Sequence, residues 1–474
     1  MTDKLENYYE GWDYGSREPL KISMDELTPT EAELLIKSDV FCILPWIHLH
    51  AYPDGRAYPC CLAKYENHVG SLRENTMEEI WRDKPMQELR NNMLNEIKSE
   101  VCTKCYEQED NGFFSMRNSS NKNFGHHIKT LDSNEFKIRY YDIRFSNLCN
   151  LACRSCGDVF SSNWVKEAKK MQWLKPDHPN VSYAGRYKTD AWEQLLPHIP
   201  YLEEVYFAGG EPLMMQEHYD LLKELLRQGR NDVKLVYNTN FTELVFKGDS
   251  VLPLWNEFEC VSIGASLDAS YERAELMRHG TVWSKVVKNR EEMLKICPTV
   301  DFYVSSTLSI MNSYHLPDFH KEWIELELVR PMDWNINILQ SPEYYRIDVL
   351  PEVMKEEVVQ KYNDHIEYLK PLDEFSRASK GYMAAVNYIT NTDNTKHISE
   401  LKNKEALIEL EQKNNQVKFE RRVSEIEIEK KKQEQKSSEL EMKLNEVNLQ
   451  KKNLDDSELE LETKLSKVNF EKKK

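Results

Sequence analysis

Between residues 140 and 342 the chain alternates short apolar runs with longer amphipathic stretches. The runs are YYDIRFSN (140–147), EVYFAGG (204–210), VKLVYNTN (233–240), VSIGASLD (261–268), DFYVSSTLS (301–309) and WNINILQS (334–341). Their length and their β-branched and aromatic content predict strands, and the stretches between them, such as EHYDLLKELLRQGR and WSKVVKNREEMLKI, have helical spacing. Strand and helix in alternation predict a parallel sheet with crossover helices. Six units are too few for a closed eightfold barrel. The pattern therefore predicts an α/β fold, a partial (β/α)6 TIM-like barrel over residues 135–345. Parallel barrels keep their chemistry at the C-terminal ends of the strands. A cysteine triplet, GGEP, NTN and SLDAS follow the first four runs in turn.

The flanks read differently. PDGRAYPC (53–60) predicts two strands around an Asp-Gly turn. SLRENTMEEIWRDKPMQELRNNM predicts a helical segment whose Thr76 is followed three residues later by Glu79, a capping box. These features predict a small cysteine-rich α+β domain over 1–134, and a helical connector is expected over 346–397. After about residue 398 glycine and proline disappear. One heptad position runs Leu440, Val447, Leu454, Leu461 and Val468, and its partner position Leu444, Lys451, Glu458 and Leu465. Phe419, Val423 and Ile426 share this register, while Lys430, Gln433 and Ser437 break it. Residues 398–474 are expected to form a long charged helix or coiled coil, the alternative being a solvated single helix or charged disordered tail.

Charge and composition narrow the setting. The 474 residues carry a formal net charge of −17, which argues against nucleic acid as the main partner. The start, MTDKLENYYEGWDYG, is polar and acidic, unlike a secretory signal. No run approaches the ~18 to 20 apolar residues that cross a bilayer. A cytoplasmic protein without a membrane partner is expected, and there clustered cysteines point to metal or catalysis.

The ten cysteines are uneven. Cys260, in a strand-like run, and Cys297, at a helix end, read as small buried hydrophobes. Cys149, Cys153 and Cys156 crowd into SNLCNLACRSCG (146–157) as Cys-x3-Cys-x2-Cys. Zinc prefers four ligands. Three thiolates on one loop can hold three irons of a 4Fe–4S cubane and leave the fourth open to a chelating cofactor.

With GGEP and SLDAS in the same order, the sequence here resembles the radical S-adenosylmethionine superfamily, over about residues 135–345. The resemblance implies reductive cleavage of S-adenosylmethionine at a 4Fe–4S cluster, a 5′-deoxyadenosyl radical and hydrogen abstraction from a substrate. It assigns the methionyl amine to Gly209, Gly210, Glu211 and Pro212, and the ribose and carboxylate to Ser266 and Asp268. Arg278, in ELMRHGT, stands where relatives pair an arginine with the methionyl carboxylate, a partner that suits a guanidinium fork. One departure is Ser155, where many members have an aromatic residue, which makes Tyr206 or Phe207 the candidate for adenine stacking.

Cys42, Cys60, Cys61, Cys102 and Cys105 form the second set. It resembles the SPASM and twitch auxiliary domains, which carry further 4Fe–4S clusters. Four ligands suffice for one cluster: Cys42, Cys60, Cys102 and Cys105, with Cys61 the rival of Cys60. A structural zinc stays open, because spacing does not separate it from a cluster. Such domains commonly follow the core, whereas this one precedes it. His48 and His50, two apart, read as one face of a small sheet.

The resemblance favours a peptide or protein substrate. The second reading is a radical dehydrogenase of a sugar-like small molecule. The third is a non-enzymatic coiled-coil assembly protein around a structural zinc or iron–sulfur module. Expected partners are a one-electron donor such as flavodoxin or ferredoxin, and a second copy of the chain through the C-terminal helix.

Overall fold

All six predicted runs form strands, each ending earlier than its apolar run. With the N-terminal strands they are β1 (His48–Ala51), β2 (Arg56–Tyr58), β3 (Gly70–Ser71), β4 (Tyr140–Ile143), β5 (Glu204–Phe207), β6 (Lys234–Thr239), β7 (Val261–Ala265), β8 (Asp301–Leu308) and β9 (Trp334–Ile338). This computed structural model describes residues 22, 26–110, 114–131, 135–373, 376–391, 430, 437–438, 440–453 and 457–467. The acidic start of the chain and the heptad positions Phe419, Val423, Ile426, Gln433, Leu454 and Val468 lie outside the described residues.

The nine strands make one sheet in the order β9-β8-β7-β6-β5-β4-β1-β2-β3. Strands β4 to β9 are parallel, as expected. The sheet differs from a six-stranded one in that β1, from the cysteine-rich segment, pairs in parallel with β4, His50 opposite Asp142. The β1–β2 hairpin around Gly55 and the short β3 then add antiparallel strands. The sheet thus runs across the 134/135 boundary, and the chain divides into two units at 392/393.

Neighbouring strands follow chain order, so right-handed crossovers place the helices on one face. Burial follows the pleat. On β6, Leu235, Tyr237 and Thr239 are buried, whereas Lys234, Val236 and Asn238 are half-buried. Val205, Phe207, Ile263, Val304 and Trp334 continue the apolar face. The opposite, inner face carries Tyr206, Asn238, Gly264, Tyr303 and Ser305 on alternate positions. A second apolar cluster of Phe41, Ile43, Trp46, Leu89, Met93, Phe124 and Tyr140 packs the cysteine-rich segment, with Tyr206 against it. The predicted capped segment is two helices, Met77–Arg82 and Lys84–Leu94. Thr76 and Glu79 form the capping box of the first, and Asp83 caps the second, with Pro85 in its opening turn.

In the second unit the chain is helical over 440–453 and 457–467. Leu440, Leu444, Val447, Leu461 and Leu465 are all exposed there. No helix among the described residues is long and apolar enough to cross a membrane.

Candidate functional site

The cysteine triplet lies on the loop that leaves β4 and leads into the helix Ser162–Lys170. Ser161 caps that helix and its hydroxyl also donates to Leu151 O at 2.6 Å. Trp164 Nε1 donates to Cys153 O at 2.7 Å. Ala152–Cys153 pair antiparallel with Arg278–His279, so the loop is also laced to the chain after β7. Cys153 is buried, and Cys149 and Cys156 are half-buried.

The GGEP turn follows β5 and packs under this loop. Gly209 has φ +119°, the left-handed region that favours glycine. A Cβ on Gly210 would lie 2.2 Å from Leu148 O and 2.7 Å from Asn147 C. Gly210 thus lets the second motif pass directly beneath the cysteine loop, and Glu211 N donates to Leu148 O at 2.7 Å. Gly210→Ala is expected to push the loop away and cut cluster content by at least half, measured as iron and acid-labile sulfide. Full occupancy in that variant would show that the loop tolerates the displacement.

Glu211 is buried, and its carboxylate accepts from Leu213 N (3.1 Å), Thr239 Oγ1 (2.7 Å) and Asn240 N (2.7 Å). Burial pushes its carboxyl up to about 7, against the pull of these donors. It ties the ends of β5 and β6 together. Pro212 opens the 3₁₀ turn Pro212–Met214 that follows. Asn240, in the NTN that ends the β6 run, carries the connection onward. Its side-chain amide donates to Asn150 Oδ1 at 2.9 Å and points at Cys149 Sγ at 3.9 Å.

After β7, Ser266 N donates to Thr239 O at 2.7 Å. Asp268 is buried and accepts from Thr307 N at 2.8 Å. Both its oxygens face Arg278, through Nε at 2.8 Å and Nη2 at 3.0 Å. The fork expected for a ligand carboxylate therefore holds Asp268, and Nη1 points at Cys153 Sγ at 3.8 Å. Removing one partner of such a buried pair costs about 3–5 kcal/mol. Arg278→Ala is thus expected to lower the melting temperature by several degrees as well as weaken cofactor binding. An unchanged melting curve would contradict this reading of the pair.

The donor set suits an iron–sulfur cluster. Cys149 Sγ accepts from Leu151 N at 3.4 Å and faces Asn240, and Cys153 Sγ faces a guanidinium. N–H donors to sulfur stabilise thiolates and tune clusters. Without iron, burial pushes the Cys156 thiol up to about 11 and the Cys149 thiol up to about 12. Of the stacking candidates, Phe207 is excluded, because it packs in the core against Tyr237, 4.7 Å between ring centroids. Tyr206 is on the inner face and accepts from Asn238 Nδ2.

The second cysteine set lies toward the other end of the same strands. Cys42 precedes the turn that feeds β1, and Cys60 follows the antiparallel β2. A cavity of about 340 Å³, counted out to solvent, is lined by Cys42, Cys60, Cys102 and Cys105 among others. Cys61 is not part of this lining; burial, with the charge of Asp142 nearby, pushes its thiol up. Burial, with the neighbouring thiols, pushes Cys60 up to about 12, and burial pushes Cys102 up to about 11. Arg117 is buried at the rim, its Nη1 donating to Ser38 O (2.9 Å) and Phe41 O (3.0 Å). Cys260 and Cys297 are buried, as expected of small hydrophobes.

Sequence reasoning missed a polar group between the two sets. His50 Nδ1 and Asp142 Oδ2 are 2.9 Å apart, both side chains fully buried. His48, beside them, donates from Nδ1 to Tyr140 O at 2.8 Å, and burial lowers its imidazole to about 4. Burial opposes the Asp142 charge, yet His50 and Arg144 hold its carboxyl below the usual range. Arg144 lies 5.2 Å from the Tyr52 ring centroid and 5.8 Å from that of Phe160, on the triplet loop. The local signal was two charged residues, Asp142 and Arg144, inside the apolar run YYDIRF.

Residues 42–106 match the sequence profile of the SPASM family, described as an iron–sulfur cluster-binding domain. Among solved structures the chain is similar to native anSMEcpe with bound AdoMet, at 19% identity and TM-score 0.34 over 47% of this chain and 57% of that one. It is also similar to Streptococcus suis SuiB bound to S-adenosylmethionine, at 12% identity and TM-score 0.31 over 60% of this chain and 61% of that one. The chain thus spans less than two thirds of the length of either, and likenesses this weak carry no argument about activity. No match was found among curated proteins. The cysteine-rich segment 42–106 is thus similar to the SPASM iron–sulfur cluster-binding domain, and its cavity gathers Cys42, Cys60, Cys102 and Cys105.

Proposed function

We propose that the chain is a radical S-adenosylmethionine enzyme. The observation that carries this reading is convergence: the cysteine triplet, Gly210–Glu211, Asn240, Asp268 and Arg278 meet at the C-terminal ends of consecutive parallel strands. A partial barrel, extended by β1, is the architecture this supports. Cys149, Cys153 and Cys156 would hold a 4Fe–4S cluster, and Cys42, Cys60, Cys102 and Cys105 a second one. With S-adenosylmethionine bound, the first cluster supplies one-electron cleavage to a 5′-deoxyadenosyl radical that takes a hydrogen atom from substrate. The protein's part is positional. Gly210 brings the GGEP turn against the cysteine loop, and Glu211 fixes β5 and β6 at that level. Asp268 orients Arg278, whose Nη1 remains as a donor toward the cysteine loop.

The resemblance favours a peptide or protein substrate and a flavodoxin- or ferredoxin-type donor. The inner face, with Tyr206, Asn238, Tyr303 and Ser305, offers hydroxyl and amide groups to such a ligand. The same groups suit a polyol, which keeps the small-molecule dehydrogenase as the second reading. Anaerobic incubation of reconstituted protein with dithionite and S-adenosylmethionine should yield 5′-deoxyadenosine above a protein-free control. Absence of that product from protein with intact clusters would overturn the proposal in favour of an assembly protein. The exposed leucines of 440–465 support self-association, so truncation after residue 397 should halve the sedimentation mass beyond the deleted residues. An unchanged oligomeric state would remove the tail from that role.

A further inference from the structure

We propose that His126, His127 and Glu203 form a binding site for a zinc-type divalent cation, separate from both cysteine sets. Among the described residues this is the group of three candidate ligands whose donor atoms all lie within 4.8 Å of one another. The two histidines are consecutive on the 3₁₀ segment Gly125–Thr130. His126 Nε2 is 3.0 Å from Glu203 Oε2, and His127 Nε2 is 2.7 Å from Glu203 Oε1. The ring centroids are 4.1 Å apart, so both nitrogens converge on one carboxylate from the same side.

The carboxylate is held in place. Glu203 immediately precedes β5, its N–H donates to Arg139 O at 2.8 Å, and its carbonyl accepts from Lys234 N at 2.9 Å. His127 is 8% exposed, while His126 and Glu203 are 29% and 27% exposed, so one ligand is sheltered and two are reachable from solvent. Burial alone would raise the Glu203 carboxyl, but the two imidazoles hold it down to about 2. It is therefore an anionic ligand beside the two imidazoles. Two imidazoles and a carboxylate form a common zinc donor set, leaving a fourth position to water. Zinc bonds of about 2.0–2.2 Å would space the ligand atoms about 3.3 Å apart, so the trio opens by about half an ångström on binding. The ion would fasten the 125–130 segment to the start of β5, joining the cysteine-rich part of the chain to the sheet by a contact its thiols do not make.

The test uses cluster-reconstituted full-length protein, dialysed against buffered zinc at low micromolar free concentration. The parent is compared with His127→Ala and Glu203→Gln, the latter keeping shape and hydrogen-bonding capacity but not the anionic ligand. The expected result is one more zinc per chain in the parent than in either variant, and a zinc-dependent rise in melting temperature in the parent alone. Equal zinc in all three proteins would overturn the proposal and leave a hydrogen-bonded latch. Retention of ferrous iron in preference to zinc, in a parallel dialysis, would overturn the choice of ion. Because the comparison is a difference between proteins with the same cysteines, it stands or fails independently of what those cysteines hold.

Discussion

Replacing Cys149, Cys153 and Cys156 together with alanine is expected to remove about four irons per chain and abolish 5′-deoxyadenosine formation. Three thiolates from one loop hold three of the four irons and leave one open, and losing them leaves the cluster without protein ligands. Cys260 and Cys297 are buried elsewhere in the core. Asn240 and Arg278 face the sulfurs only through N–H donors. The loop itself should survive the change. Its backbone is held by the cap at Ser161, the Trp164 contact and the short ladder to Arg278–His279, none of which uses a thiol. Circular dichroism should therefore match the parent while the product disappears. Persistent product in a folded triple variant would sink the assignment of the triplet.

The same variant isolates the N-terminal site, for which the second large effect is expected. The reconstituted parent should carry about eight irons, four per cluster, and the triple variant about four with matching sulfide. Changing Cys60 to alanine in that background should remove the rest, whereas changing Cys61 should leave it. Cys60 lines the cavity with Cys42, Cys102 and Cys105, and Cys61 does not. Zinc without sulfide in the triple variant would make the segment a structural module. Loss of iron from the Cys61 variant and retention in the Cys60 variant would reverse the ligand choice.

The six strands after residue 140 were legible because their signal is local. A run of β-branched and aromatic residues, bounded by a helical stretch, needs no distant partner to be recognised. The triplet, GGEP and SLDAS were legible for the same reason, since each is a few consecutive residues with a chemical demand of its own. The Thr76–Glu79 box was equally local, although Asp83 and Pro85 split the helical segment after it.

Other features depended on residues far apart in the chain. His50 and Asp142, 92 positions apart, meet because β1 pairs with β4, a register that neither strand's sequence declares. His127 and Glu203 are 76 apart. Arg278 and Cys153 are 125 apart, and the small ladder between their segments sets the guanidinium against the cysteine loop. Cys60 and Cys61 are chemically identical neighbours, and only their directions distinguish them. The sequence by itself determined the order of strands and helices and the kinds of ligand present. The tertiary structure alone decided which ligands share a site, because pairing across a long loop is set by burial of whole faces rather than by the residues on either side of it.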